Sequence, residues 1–477
     1  MTHPAMRQPS DTGYHEPMKY VSIFSGIEAA SAAWEPLGWE PIIFSENDQF
    51  PSAVLKERYP TVPNLGDITA VNWREALADR ARPDMLVGGS PCQSFSIAGS
   101  RTGLKGASGL MWEYVRAVRE LRPRWILWEN VPGALSSAHG EDFRCLLQSL
   151  DGLGYALAWR ILDAEFFGLA QRRRRVFILG SLEGEHNPGD ALFSHTDLSP
   201  NPDKPILPGN DGLKGGCLTP GEIQQERVYG TGSVSATLNA VHRTGGTHGM
   251  NIMDTWVRAL DFNPTASRLR YAATGTCQTL TSRAGTGGNQ VPLLSSGNPP
   301  VIRRLTPVEC ERLQGFPDGW TDVPYKGKAH GPDSARYRAL GNSMAVPVMM
   351  WLGQAVEQAD QGMTGADDAF HALMDRLPAS EKDEGSVDTT PGKGRWMRAG
   401  ACRSGGYVMG SVPDWTTSPK TLPLCEILED PAIIPAKYRL SARACKGILT
   451  RAKDRGKAMD PALKETLNRQ IADQTAD

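Results

Sequence analysis

Between residues 19 and 180 short apolar runs alternate with longer stretches in which apolar residues recur every three or four positions. The short runs, bounded by Gly, Pro, Asp or Ser, read as buried strands, and the periodic stretches read as amphipathic helices. This pattern predicts strands at 20–24, 42–45, 85–87, 125–128, 156–162 and 176–179. It places helices at 29–37, 73–81, 110–121 and 143–150. Regular alternation of strand and helix predicts an α/β fold built on a parallel, doubly wound sheet.

The pattern then breaks. From 181 to 300 the chain is rich in Gly, Thr, Ser, Asn and Pro with few apolar runs, which predicts a loop-rich insertion. Within it Ala236-Thr237-Leu238-Asn239-Ala240 followed by Thr244-Gly245-Gly246 is echoed by Gln278-Thr279-Leu280-Thr281-Ser282 followed by Thr286-Gly287-Gly288. A weak repeat of short β-hairpins and a chance match of polar residues both account for the echo. Alternating structure returns over 301–359 and ends in a helix rich in Met, Val and Trp. An acidic and then Gly-rich linker is expected over 360–424, and a helical module over 425–477. Residues 1–18 lack periodicity and are expected to form a flexible N-terminus, with Met18 a candidate start.

Composition narrows the classes. A chain of 477 residues, 40% hydrophobic and 22% charged, can bury full cores and is expected to hold two or three domains. It has no run long enough to span a membrane and no apolar leader, so a cytoplasmic protein without membrane contact is expected. The eight cysteines (92, 145, 217, 277, 310, 402, 425, 445) form no Cys-x-x-Cys pair and have no histidines at zinc spacing. Neither a disulfide scaffold nor a metal site is expected. A net charge of −2 supplies no overall attraction to nucleic acid, so any such affinity must come from local patches. Two basic patches exist, at 172–175 and 437–457. A solvated helix face and a nucleic-acid contact are equal readings of the second.

The most specific chemistry lies in Gly88-Gly89-Ser90-Pro91-Cys92-Gln93-Ser94-Phe95-Ser96. It puts a thiol on a Pro-Cys turn at the carboxyl end of an apolar strand, where open α/β sheets place their ligands. A lone buried cysteine more often only packs, but four further motifs follow in order. Trp128-Glu129-Asn130-Val131 delivers a carboxylate at a strand end, and Gln171-Arg172-Arg173-Arg174-Arg175-Val176-Phe177 leads a basic cluster into a strand. Arg304-Leu305-Thr306-Pro307-Val308-Glu309-Cys310-Glu311-Arg312-Leu313-Gln314-Gly315-Phe316-Pro317 and Leu340-Gly341-Asn342-Ser343-Met344-Ala345-Val346-Pro347 complete the set.

Together these motifs resemble those of the DNA cytosine-5 methyltransferase family, of bacterial or bacteriophage type, over roughly 19–358. The resemblance implies a Rossmann-like sheet binding S-adenosylmethionine over 19–180 and 301–359, with a smaller target-recognition domain at 181–300. It implies that Cys92 attacks carbon 6 of cytosine to make carbon 5 nucleophilic. Glu129 serves as the acid beside ring nitrogen 3, a role that needs a dry setting. Arg173 and Arg175 match the basic motif and would steady the base or its phosphates. Because the target atom is stacked in duplex DNA, the base must be flipped out. The run 97–108, with Arg101 and Lys105, resembles the loop that closes over DNA.

For the cofactor, the resemblance implicates Phe24 and Gly26 at the first strand-to-helix turn, Glu46 for ribose hydroxyls, and Asp67 with Ile68 for adenine. Pro91, Asn342 and Ser343 complete the set. The chain departs from the family pattern at the first turn, where the usual Asp is Ser22 and the usual glycine pair is Glu28-Ala29. The family also implies a monomer, double-stranded DNA as partner, and a cognate restriction endonuclease as a candidate partner. Two other functions stay open at this point: methylation of RNA cytosine, and DNA binding without catalysis.

Overall fold

A computed structural model describes residues 17–90, 109–182, 186–193, 258–263, 268–271, 279–280, 293–296, 301–361, 383–384, 396–410, 420–430, 433–454, 456, 459 and 461–475. Cys92, Pro91, the run 97–108 and nearly all of the two echoed segments lie outside the described residues.

The first block builds strands β1 (Lys19–Ile23), β2 (Glu40–Ser45), β3 (Met85–Gly88), β4 (Trp125–Asn130), β5 (Tyr155–Asp163) and β6 (Arg174–Leu182). Between them run helices α1 (Ala29–Trp34), α2 (Gln49–Arg58), α3 (Trp73–Ala76), α4 (Gly109–Leu121) and α5 (Glu141–Asp151). Each predicted strand is present and most extend by one to three residues. Helix α2 was not predicted from the pattern, because its apolar positions Phe50, Val54 and Leu55 are few and its remaining positions are polar. Asp48 caps its N-terminus by accepting from the Phe50 amide.

The sheet is mixed, which corrects the expectation of a wholly parallel one. Strands β1, β2, β3 and β4 pair in parallel, but β6 runs antiparallel to both β4 and β5. The cause is the short connection from Asp163 to Arg174, which holds a single 3-10 turn at Ala164–Phe166. A parallel crossover needs a dozen or more residues, usually with a helix, so this link can only return the chain as a hairpin.

After β6 come α6 (Pro188–Phe193) and a second, four-stranded antiparallel sheet of β7 (Arg258–Asn263), β8 (Arg268–Tyr271), β9 (Leu293–Ser296) and β10 (Val301–Arg304). Helices α7 (Pro307–Gln314), α8 (Asp333–Asn342) and α9 (Val346–Asp360) then return to the main sheet. Helix α9 packs along α1, where Trp34 donates its indole N–H to the Met349 carbonyl at 2.7 Å. Helix α7 begins in a capping box between Thr306 and Glu309, and Glu309 also takes both ends of the Arg303 guanidinium at 2.7 Å each. Glu311, fully buried, accepts from Arg336 and Thr321. The two glutamates of the 304–317 motif, Glu309 and Glu311, therefore tie β10, α7 and α8 together as buried, paired groups.

Within 360–424, strands β11 (Asp383–Glu384), β12 (Ala399–Arg403) and β13 (Gly406–Gly410) extend the main sheet to the order β11-β13-β12-β5-β6-β4-β3-β1-β2. Helices α10 (Ala442–Asp454) and α11 (Pro461–Asp473) pack on the second sheet, burying Cys445, Ile448, Leu463 and Leu467 against Leu293 and Ile302. Among the described residues no helix is long and apolar enough to cross a membrane.

Candidate active site

The carboxyl ends of β1, β3 and β4 converge on one cleft that is open to solvent. Its lining includes Ser22, Phe24, Gly26, Glu28, Gly89, Glu129, Asn342 and Ser343. The turn from β1 into α1 is unusual in its backbone: Phe24, Gly26 and Glu28 all have positive φ, at 51°, 58° and 65°. Gly26 adopts this at little cost, whereas Phe24 and Glu28 each forfeit roughly 1–2 kcal/mol of conformational preference. Surrounding contacts hold the turn. The Gly26 amide donates to Glu46 at 2.8 Å, Ser25 Oγ donates to the Ser22 carbonyl at 2.9 Å, and Glu28 accepts from the Ser31 amide at 3.2 Å.

Glu46 binds the Asp48 amide with its other oxygen at 2.7 Å, and burial raises its pKa above the usual carboxylate value. Burial also raises the Glu28 carboxyl, to about 7, with the Ser22 and Ser31 groups pulling it part of the way back. Asp67 is exposed and caps the turn at Ile68–Ala70 through the Thr69 amide, with Ile68 buried beneath it. Both lie on the segment that follows β2, outside the lining of the cleft.

Glu129 faces the cleft from β4, and Arg175 on β6 meets it with Nε 3.0 Å from Oε1. The two side chains are only 12% and 15% exposed, so the pair is largely shielded from solvent. Gly89 passes directly behind the carboxylate. A Cβ built there would lie 2.9 Å from Glu129 Oε2 and 3.0 Å from the Glu129 carbonyl, so a larger residue would displace one of them. The segment entering the Pro-Cys turn is fixed at Ser90, whose carbonyl accepts from Asn130 Nδ2 at 2.9 Å and whose hydroxyl accepts from the Trp128 indole at 3.2 Å. The sequence motif assigns a role to Glu129 and none to Trp128 and Asn130 beside it. Alternation along β4 is the signal that could have found them, because it puts Trp128 and Asn130 on the opposite face from Glu129.

Arg173 and Arg175 sit two apart and differ in role. Arg173 is 2% exposed, and its guanidinium donates to the carbonyls of Leu280 at 3.0 Å, Gly341 at 3.1 Å and Ser343 at 2.5 Å. Burial, and then the neighbouring Arg175, hold its pKa well below that of an ordinary arginine. With those donors committed to main-chain carbonyls, Arg173 is a strut. It fixes the Asn342–Ser343 segment at the edge of the cleft. Gln171, another residue passed over in the sequence, is fully buried and bonds the Leu280 amide at 2.8 Å and the Leu313 carbonyl at 3.0 Å.

A family model described as C-5 cytosine-specific DNA methylase matches residues 18–358. The chain belongs to that family. Among its relatives, a protein of Escherichia phage P1 named DNA N-6-adenine-methyltransferase is 33% identical over an alignment covering 71% of this chain and 61% of that protein. The chain therefore spans less than two thirds of that relative's length. The type II methyltransferase M2.BsuMI of Bacillus subtilis is 29% identical, with 72% of this chain and 76% of that one aligned. Among solved structures, the S. pombe Dnmt2 methyltransferase is similar with a TM-score of 0.48 and 18% identity, over 71% of this chain and 98% of that one. Membership of the C-5 cytosine-specific DNA methylase family implies S-adenosylmethionine as methyl donor. The cleft suits such a ligand, since the acid Glu28 is among its lining residues and its buried Oε2 has no partner within ordinary hydrogen-bond distance. Among the described residues no group of His, Cys, Asp and Glu is arranged to hold a metal ion.

Proposed function

We propose that this protein transfers a methyl group from S-adenosylmethionine to carbon 5 of cytosine within a specific sequence of double-stranded DNA. The observation that carries the reading is Glu129, which is paired with Arg175, lines the same cleft as the Phe24–Glu28 turn and lies against Gly89 at the strand end that leads to Cys92. Phe24, Gly26, Asn342 and Ser343 hold the donor, with Glu46, Asp67, Ile68 and Pro91 shaping its adenosine side. The donor supplies an electrophilic methyl on a sulfonium. Cys92 adds its thiolate to carbon 6 of a flipped cytosine, and the electron pair displaced from the 5,6 double bond is what carbon 5 uses to take the methyl. Glu129 stands at ring nitrogen 3, where charge develops during the addition, and Arg175 orients it. A water molecule takes the carbon-5 proton, the electron pair of that C–H bond re-forms the 5,6 double bond, and the carbon 6–sulfur bond breaks to release the Cys92 thiolate. Arg173 acts at one remove, through the Ser343 segment and Leu280.

The phage P1 relative carries an adenine-methyltransferase name, so modification of adenine is the second reading to be tested. The protein is to be expressed in a methylation-deficient bacterial strain beside Cys92→Ala, the DNA digested to nucleosides, and 5-methylcytosine and N6-methyladenine quantified by mass spectrometry. Bisulfite sequencing then maps the site. Methylcytosine confined to one short motif and lost in Cys92→Ala is the expected result. Methyladenine that persists in Cys92→Ala, or 5-methylcytosine found only in transfer RNA digested from the same cells, would reject the proposal.

A further inference from the structure

Glu28 is the most conspicuous unspent group in the molecule. It is 1% exposed, and Oε1 accepts from the Ser31 amide at the start of α1. Oε2 is buried with no hydrogen-bond partner. No arginine, lysine or histidine among the described residues pairs with it; the titratable groups that face it are Glu46 on the loop after β2, Tyr20 on β1 and Tyr59 after α2. None is a cation, so none supplies a positive charge opposite a buried carboxylate. An isolated carboxylate taken out of water costs several kcal/mol unless a cation or a set of donors meets it. Yet Glu28 is among the residues that line the cleft, beside Gly26, Asn342 and Ser343. It is held there by a backbone conformation, φ of 65°, that a glutamate adopts only when its surroundings impose it. Ser22, on the adjoining strand, lies against the same carboxyl group. Positions 22 and 28, where this chain departs from its family's pattern, are thus in contact.

We propose that Glu28 is a binding residue for the methyl donor, its free carboxylate oxygen receiving the α-ammonium of the donor's methionine portion. The inference rests on the donor reading given above. A primary ammonium is the donor's only group that supplies both a positive charge and several N–H donors, which is what a buried, half-satisfied carboxylate lacks. A donor carboxylate would be repelled at this position. Binding is therefore coupled to ionisation of Glu28, and the ligand's affinity depends on whether that proton has left.

The test is equilibrium binding by calorimetry with three probes: S-adenosylmethionine, S-adenosylhomocysteine, which keeps the ammonium and lacks the sulfonium, and methylthioadenosine, which lacks the amino-acid portion. Glu28→Gln retains an oxygen to cap Ser31 and is checked for folding by its melting curve. We expect it to lose about tenfold or more in affinity for the first two and to bind methylthioadenosine as the wild type does. Wild-type affinity for S-adenosylhomocysteine should tighten roughly tenfold between pH 6 and pH 7.5, with a proton released on binding, and Glu28→Gln should show neither effect. The proton release is read on the wild type alone, so it stands even if the variant folds poorly. Equal loss of all three probes would reduce Glu28 to a structural cap, and unchanged binding of S-adenosylhomocysteine would overturn the inference outright. A wild type that binds none of the probes would instead overturn the donor reading.

Discussion

Arg173 holds Leu280 by its backbone: Nη1 donates to the Leu280 carbonyl at 3.0 Å, while Gln171 Oε1 accepts from the Leu280 amide at 2.8 Å. Two side chains from one tripeptide thus satisfy both polar groups of a single residue in the inserted region, as a neighbouring strand would. Gln171→Ala should therefore cost about 1–3 kcal/mol by leaving the Leu280 amide and the Leu313 carbonyl buried and unpaired. Arg173→Ala should cost more, on the order of 3–5 kcal/mol, because three carbonyls lose their donor. Chemical denaturation of the purified variants checks both values and their order.

Replacing Glu129 by Gln should separate chemistry from folding. Methyl transfer to a cytosine-containing duplex is expected to fall by about 10²–10⁴-fold if Glu129 serves the ring nitrogen. Donor affinity should change little, since Glu129 reaches the cleft from β4 and the donor is held by the β1 turn and the Asn342–Ser343 segment. Single-turnover methylation and calorimetry on the same preparation give the two numbers. A parallel loss of donor binding would reassign Glu129 to the cofactor.

Burial of Glu28 has a signature in the ligand-free protein. Its carboxyl titrates near 4.5 when exposed and near 7 when folded, so between those values the native state holds a proton that the unfolded chain has released. The stabilisation carried by the protonated group is complete below about pH 4.5 and is lost as pH rises through about 7. Glu28→Gln mimics the protonated form. It should match the wild type near pH 4 and exceed it by up to roughly 3 kcal/mol at pH 8. Melting curves across that range are the check, and a constant difference between the two proteins would refute the assignment.

The main sheet's far edge rests on the chain's later part. Strand β12 pairs with β5 through Ala399–Arg160, Gly400–Trp159, Ala401–Ala158 and Cys402–Leu157. Just before it, Trp396 sits in edge-on contact with Trp159 and Phe143 and donates to the Gly140 carbonyl at 2.8 Å. Trp396→Ala should cost about 3–5 kcal/mol. A chain ended after Gln361 should lose solubility, because β5 would present an uncovered edge and Trp159 would be bared. Light scattering of the shortened protein against the full chain decides this.

The strands of the first block were legible because each is a short, buried apolar run between turn residues, and periodicity reports that directly. The antiparallel turn at β6 was not. The sequence of a buried strand reads alike in either direction, and only the length of the 164–173 link distinguishes them. Strands β12 and β13 were hidden for another reason: Ala399-Gly400-Ala401-Cys402 and Gly406-Tyr407-Val408-Met409-Gly410 are small or Gly-rich, a composition that reads as linker. Glu129 and Arg175 were found as a motif, yet their pairing across β4 and β6 needs the register, in which Glu129 sits opposite Phe177. Glu28 looked like a blemish in a glycine turn. Its meaning lay in burial, which spacing along the chain does not report.

Gln470 repeats at the C-terminal end what Gln171 does near the cleft: it accepts from the Ile302 amide at 2.9 Å and donates to the Ile302 carbonyl at 3.0 Å and the Leu440 carbonyl at 2.7 Å. Ile302 lies on β10, which ends two residues before the capping box of α7. The last helix is thus fastened to the joint where the second sheet hands the chain back to the main one. Cutting the chain before Gln470 would strip the Ile302 amide and carbonyl of their partner at that joint, so the tail acts as a clasp on the hinge between the two sheets.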